Sequence, residues 1–168
     1  MDRHELHASQ APLKDRYRAD PAAAVVTLQA RGRLGEGVTC SVETGRRVAE
    51  AGLHPASGGD GTSLCSGDML LEALVACAGV TLRAVSTSTG IAVRGGTVVA
   101  EGDLDFRGTL AVAPDAPVGL RDIRLRFALE SDAPAADLDT LVRLTERYCV
   151  VLQTLLVTPT VEVSRSVA

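Results

Sequence analysis

The chain has 168 residues, 46% of them hydrophobic, 23% charged and 2% aromatic, which is the composition of one globular domain rather than a fibrous or disordered chain. Lys+Arg 17 against Asp+Glu 21 leaves a net charge of -4, and there is no Trp, so neither a positive field nor stacking platforms exist to recruit nucleic acid. A membrane is not expected as a partner either: the first residues, MDRHELHASQ, hold no apolar leader, and no run of about 18 apolar residues stands out as a bilayer span.

Residues 1–21 are polar and charged, with Pro12 and Pro21 marking them off, and read as an N-terminal arm with one short helix; residues 22–168 read as the folded domain. AAAVVTLQARGRL and GVTCSVET are rich in Val and Thr and are joined by glycines at 35 and 37, which predicts a hairpin, with a third strand possible at 46–50. HPASGGDGTSLCSGD is turn-rich and aperiodic, hence a loop. From Ser66 to Thr87, Leu70, Leu74, Cys77, Ala78, Thr81, Leu82 and Val85 recur every three or four residues, so a long helix is expected there with Ser66 as its N-cap. It is apolar nearly all round, which places it at the centre of the fold or of a dimer.

Beyond Gly90, the stretch TVVAEGDLDFRGTLAV reads as strand, and LRDIRLRFALE alternates with Ile123, Leu125, Phe127 and Leu129 inward and Arg124, Arg126 and Glu130 outward. A second helix is predicted over about 135–156, and TVEVSRSV closes the chain as an alternating strand. Strands, helix, strands, helix, strand, with connections too short for repeated parallel crossovers, define an α+β fold with a mostly antiparallel sheet.

Four cysteines carry the chemical interest: Cys40, Cys65, Cys77 and Cys149. With no leader, the expected location is the cytoplasm, where thiols stay reduced and cysteines that do pair are catalytic or redox-sensing. Cys77 and Cys149 both fall inside predicted helices. Either they are small core residues, or they are a nucleophile that an O–O bond converts to a sulfenic acid and a second thiol that condenses with it to a disulfide. Cys40, within a strand, and Cys65, in the glycine-rich loop, read as structural.

Glu146 and Gln153 share a helical face with Cys149, and polar groups beside a buried thiol require a reason. Thr81, four residues after Cys77, reads as a hydroxyl bonded back to a helix carbonyl. Nine residues of helix put Asp68 about 180° round and about 13.5 Å along from Cys77, so it can serve a site there only through another residue or from a second subunit. The cation that a reactive thiolate needs is sought in Arg31 or Arg33. His4, His7 and His54 are not spaced with the cysteines as zinc ligands, and GGDGTSLCSGD lacks the Gly-Lys-Ser/Thr ending of a phosphate loop, so neither metal nor cofactor is expected.

At these residues the chain resembles a known family. SGDMLLEALVACAGVTLRAV is similar to the first helix of the OsmC and organic hydroperoxide resistance (Ohr) family, with an acidic residue nine positions before a Cys, and ERYCVVLQTL is similar to its second motif, in which Cys-Pro is usual. The likeness runs from about Ala22 to the C-terminus. It implies antiparallel sheets wrapped around two central helices in an intertwined homodimer, acting as a two-cysteine peroxidase that reduces small organic hydroperoxides at the expense of a thiol reductant. By the same resemblance Cys77 is the peroxidatic cysteine, Cys149 the resolving one, and Asp68 the acid that positions an arginine, here Arg33, against the thiolate. Val150 stands in place of the usual Pro, and Asp68 in place of the usual Glu. The alternative is an OsmC-like small-ligand-binding or redox-sensing protein with little turnover.

Overall fold

The computed structural model describes residues 3–34, 40–42, 52–62 and 64–165. The N-terminal arm is a 17-residue helix, α1 (Arg3–Ala19), longer than the short helix expected. Its anchor is Tyr17, 2% exposed among Ala24, Phe106 and Leu110, whose hydroxyl donates to the Ala56 carbonyl at 2.7 Å. Leu13 packs beside it and Gln10 Nε2 donates to the Ser57 carbonyl at 3.2 Å, anchors that composition averaged over the arm conceals.

Strand β1 (Val25–Leu34) pairs antiparallel with β2 (Cys40–Val42), Leu34 opposite Cys40. The expected turn at glycines 35 and 37 and the possible strand at 46–50 lie outside the described residues. A 3₁₀ turn at Pro55–Ser57 interrupts the loop before helix α2 (Ser66–Thr89). Cys65, not Ser66, occupies the N-cap position, its carbonyl accepting from Met69 N–H at 3.1 Å; Ser66 is already helical. Gly90 ends α2 in the left-handed conformation, φ 74°, where a side chain would be strained.

Strand β3 (Gly95–Asp105) follows, then a one-turn helix α3 (Phe106–Thr109) where continuous strand was expected. Asp105 causes the break. Fully buried, its carboxylate accepts from the Arg107 backbone N–H at 3.0 Å and from the Arg107 guanidinium, whose Nε lies 3.0 and 3.1 Å from the two oxygens. These bonds hold the Asp105 carboxyl below its usual range and turn the chain out of the sheet. Strand β4 (Arg121–Glu130) then pairs with β3, and its alternation holds: Ile123, Leu125 and Phe127 pack against the core while Arg126 and Glu130 are exposed. Arg124 folds back over Asp103, with nitrogens 3.0 and 3.1 Å from the carboxylate oxygens.

The described strands form one antiparallel sheet in the order β2-β1-β3-β4. α2 covers one face, packing Leu71, Leu74, Val75 and Ala78 on Val98 and Ala100, all fully buried. Each buried leucine contributes roughly 2 kcal/mol. Gly102 lies on this face under the Leu71, Leu120 and Ile123 side chains, which a Cβ there would meet at 3.3–3.6 Å. By length and composition α2 could cross a membrane, with a mean hydropathy of 1.6 over its most apolar window, contrary to the sequence expectation. Here that apolarity is used in packing on the sheet.

The second predicted helix is two helices, α4 (Ala135–Tyr148) and α5 (Val150–Leu156), separated by the single residue Cys149. The closing strand does not form: residues 157–165 belong to no strand, and Val161 and Val163 are 74% and 93% exposed. Alternation provides a face, but a strand also needs a neighbour with which to exchange backbone hydrogen bonds.

Candidate active site

α2 presents Cys77, half-buried, toward the junction of α4 and α5, where Cys149 is 0% exposed within the same cluster as Leu74, Val75 and Ala78. Both thiols are free. At Cys149 the backbone opens to φ -72°, ψ 105°, which is extended. Its own N–H still reaches the Thr145 carbonyl at 2.9 Å and its carbonyl accepts from Gln153 N–H at 2.9 Å, so the helical ladder resumes on both sides. The N–H groups in between are released from carbonyls four residues back, and they turn to sulfur. Those of Val150 and Val151 donate to Cys77, and those of Leu152 and Val151 to Cys149.

The break also explains Gln153. Its Nε2 donates at 2.8 Å to the Glu146 carbonyl, an acceptor that an unbroken helix would have given to the N–H of residue 150. Glu146 itself is exposed. Gln153 therefore caps the α4 end and does not face the thiol chemistry.

The two thiols are made unequal by their surroundings. Burial pushes the Cys77 thiol up, but donors outweigh it: the Val151 N–H, the Cys149 S–H, the Thr81 hydroxyl and the Val150 N–H together hold it below its usual value. Cys149 is pushed up to about 11, first by burial, then by donating its proton to Cys77 and by the negative charge there. The arrangement makes Cys77 the more readily ionised of the two sulfurs and Cys149 the one that keeps its proton. Thr81 was expected to bond back to the helix; its hydroxyl goes instead to the Cys77 sulfur.

The other expected residues lie elsewhere. Asp68 sits in the first turn of the same unbroken helix, nine residues before Cys77, so the separation of about 13.5 Å stands. Its charge, after burial, raises the carboxyl of Glu72, half-buried one turn on. Arg33 is exposed and pairs with Thr97, whereas the adjacent pair, Gly32 with Val98, lies under α2. Because strand residues alternate, Arg33 is on the sheet face turned away from Cys77 of its own chain. Arg31 pairs with Val99, two positions along. Cys65, half-buried, packs at the start of α2 and lines a cavity of about 390 Å³ with His54 and Phe106; Cys40 is placed on β2, and its side chain lies outside the described residues.

One turn beyond Cys77 along α2, a second cavity of about 630 Å³ is lined by Val80, Thr81, Ala84, Val85, Ser88, Leu144 and Tyr148. Its wall is mainly aliphatic, and one of its polar residues, Thr81, lies one helical turn after Cys77 on α2. Neither Leu144 nor Tyr148 stood out in the sequence. Their spacing from Cys149, five and one residues, carries no helical signal once the helix breaks there.

Comparison with known proteins agrees with this architecture. No curated protein matches the chain by sequence. Among solved structures, an OsmC-like hydroperoxide resistance protein from Jannaschia sp. CCS1 superposes with a TM-score of 0.63 at 16% identity, covering 86% of this chain and 95% of that one, and so shares its fold. Residues 59–164, which contain both cysteine helices and the strands between them, match the family described as OsmC-like protein. With one thiol on α2 and the other at the α4–α5 junction, inside the two sequence motifs, and the sheet and helices of that fold around them, the chain belongs to the OsmC-like family.

Proposed function

We propose that the protein is a thiol-dependent peroxidase that reduces organic hydroperoxides. The observation that carries this reading is the unequal thiol pair, Cys77 held below its usual value and Cys149 pushed up to about 11, with an aliphatic cavity starting one helical turn along α2. The Cys77 thiolate attacks the distal peroxide oxygen. The S–O bond forms, the O–O bond breaks, and the alkoxide leaves and takes a proton to become an alcohol. Cys149, deprotonated, then attacks the sulfenic sulfur; the S–S bond forms and hydroxide leaves as water. An external dithiol restores both thiols. No prosthetic group enters this cycle.

In this reading the chain works in the cytoplasm as a homodimer, and Arg33 and Asp68 enter the site from the partner subunit. Asp68, about 13.5 Å along α2 from Cys77, cannot reach it within one chain. A protein that binds an apolar ligand or senses oxidants is the second reading, favoured by the Val, Ala and Leu lining of the cavity.

The test is consumption of an alkyl hydroperoxide with a dithiol reductant, together with a thiol count after one equivalent of oxidant. Loss of two thiols, a dimedone-trappable sulfenic acid in Cys149→Ser and no consumption by Cys77→Ser are expected. Unchanged thiols and unchanged hydroperoxide would leave ligand binding as the function.

A further inference from the structure

We propose that Thr81 is a catalytic residue of this site: its hydroxyl holds the Cys77 thiolate and then the oxygen transferred to it, and so joins the 630 Å³ cavity to the nucleophile. The proposal rests on the peroxidase reading. Three separate features point to it.

The first is position. Thr81 is four residues after Cys77 on α2, about 40° round the helix and about 6 Å along it, so the two side chains are neighbours on one face. The second is the direction of the hydroxyl. Elsewhere in these helices Thr87, Thr89, Thr145 and Thr154 each donate to the carbonyl four residues back, at 2.8–2.9 Å, which is the ordinary use of a helical threonine. Thr81 makes no such bond, and its hydroxyl acts on the Cys77 sulfur instead, helping to hold that thiol below its usual value. The third is access. Thr81 is half-buried and lines the cavity with Val80, Ala84, Leu144 and Tyr148, so a hydroperoxide whose alkyl group rests there meets the Thr81 hydroxyl on its way to the sulfur.

In the ground state the Thr81 O–H donates to the thiolate. As the S–O bond forms and the O–O bond breaks, negative charge leaves sulfur for the departing alkoxide. The same hydroxyl rotates to donate to the oxygen being bonded to sulfur. The proton that neutralises the alkoxide comes from solvent, and Thr81 ends the step unchanged. A hydrogen bond to an ionised sulfur is among the stronger ones available here, because the site is partly buried.

The experiment compares wild type, Thr81→Val, Thr81→Ala and Thr81→Ser. For each, the rate of Cys77 alkylation is followed against pH, and kcat/KM is measured with an alkyl hydroperoxide. Val keeps the shape and loses the hydroxyl; Ala is a second deletion should Val disturb the packing. The alkylation midpoint is expected to rise by about one pH unit in Thr81→Val and Thr81→Ala. kcat/KM at neutral pH should fall about tenfold or more in both, and Thr81→Ser should restore both readouts to within a factor of about three. Deletion variants that match an active wild type in midpoint and in kcat/KM overturn the role of Thr81 alone. A wild type that consumes no hydroperoxide overturns the peroxidase reading and the catalytic role with it, while the alkylation midpoint still decides whether the hydroxyl holds the thiolate.

Discussion

Two thiols in hydrogen-bond contact cannot both be thiolates at neutral pH, and which one ionises decides which attacks. Here the choice follows from donors rather than from exposure alone: Cys77 collects two backbone N–H groups, a hydroxyl and a thiol, while Cys149, fully buried, keeps its proton and points it at Cys77. The asymmetry has a consequence for stability. Cys149 titrates at about 11 in the folded chain and near its ordinary 9.0 when unfolded. Between those values the unfolded chain has lost a proton that the folded chain still holds, so stability falls as pH rises through that window. Cys77, held below its ordinary value, acts with the opposite sign, and its contribution is lost as pH falls. Denaturant titrations of the reduced protein at pH 8, 9 and 10 are expected to show a falling midpoint. The fall should be smaller in Cys149→Ser, which has no proton to lose in that window; equal slopes would mean that Cys149 is not buried as a neutral thiol.

At the scale of elements, the decisive feature is a helix break with no proline in it. The sequence predicts one helix over about 135–156, because Val150 occupies the position where a proline would have forced an interruption. The structure breaks there regardless, since Cys149 in an extended conformation frees N–H groups for the two sulfurs and Gln153 caps the Glu146 carbonyl left behind. That could not be read locally: the compensation comes from Cys77, 149 − 77 = 72 residues earlier. Helix α2 was legible for the opposite reason, its apolar periodicity being a local record of which face packs on the sheet. Thr81 was visible by spacing but not by role, because a helical hydroxyl has a nearby carbonyl by default and only the tertiary position of the sulfur redirects it.

The same geometry yields a prediction for Val150→Pro. Pro suits the first position of α5, and Cys149, at φ -72°, ψ 105°, already has the conformation preferred before proline. Val150 is 70% exposed, so the ring has room. The fold is therefore expected to survive, while the loss of the Val150 N–H removes one donor from Cys77. The pH midpoint of Cys77 alkylation should rise by up to about one unit. An unchanged midpoint with an unchanged thermal transition would show that this N–H does not hold the thiolate.

At the scale of the molecule, α2 has two apolar faces and one sheet. Leu71, Leu74, Val75, Ala78, Leu82 and Val85 are buried within the chain, while Leu70, Ala73, Val80 and Ala84 are exposed along a second stripe with half-buried Cys77 in its middle. The steps along that stripe, from 70 to 73, 77, 80 and 84, alternate three and four, the pattern of a helix face that packs on another helix. The alternating valines 161 and 163 also lie open to solvent, on a segment that pairs with no strand among the described residues. A second copy of the chain would cover the stripe and offer strand edges to that segment. Ala73, exposed near the centre of the stripe and absent from both cavities, is the position to test. Sedimentation of the wild type is expected to give twice the mass of the chain, and Ala73→Glu, which places two like charges across the two-fold contact, should shift it toward one. If the partner supplies the arginine, kcat/KM falls with the dimer fraction, both in Ala73→Glu and on dilution of the wild type, while the Cys77 to Cys149 disulfide can still form in the single chain. A wild type that sediments as one chain with full activity would require the thiolate to work with the donors of its own chain alone.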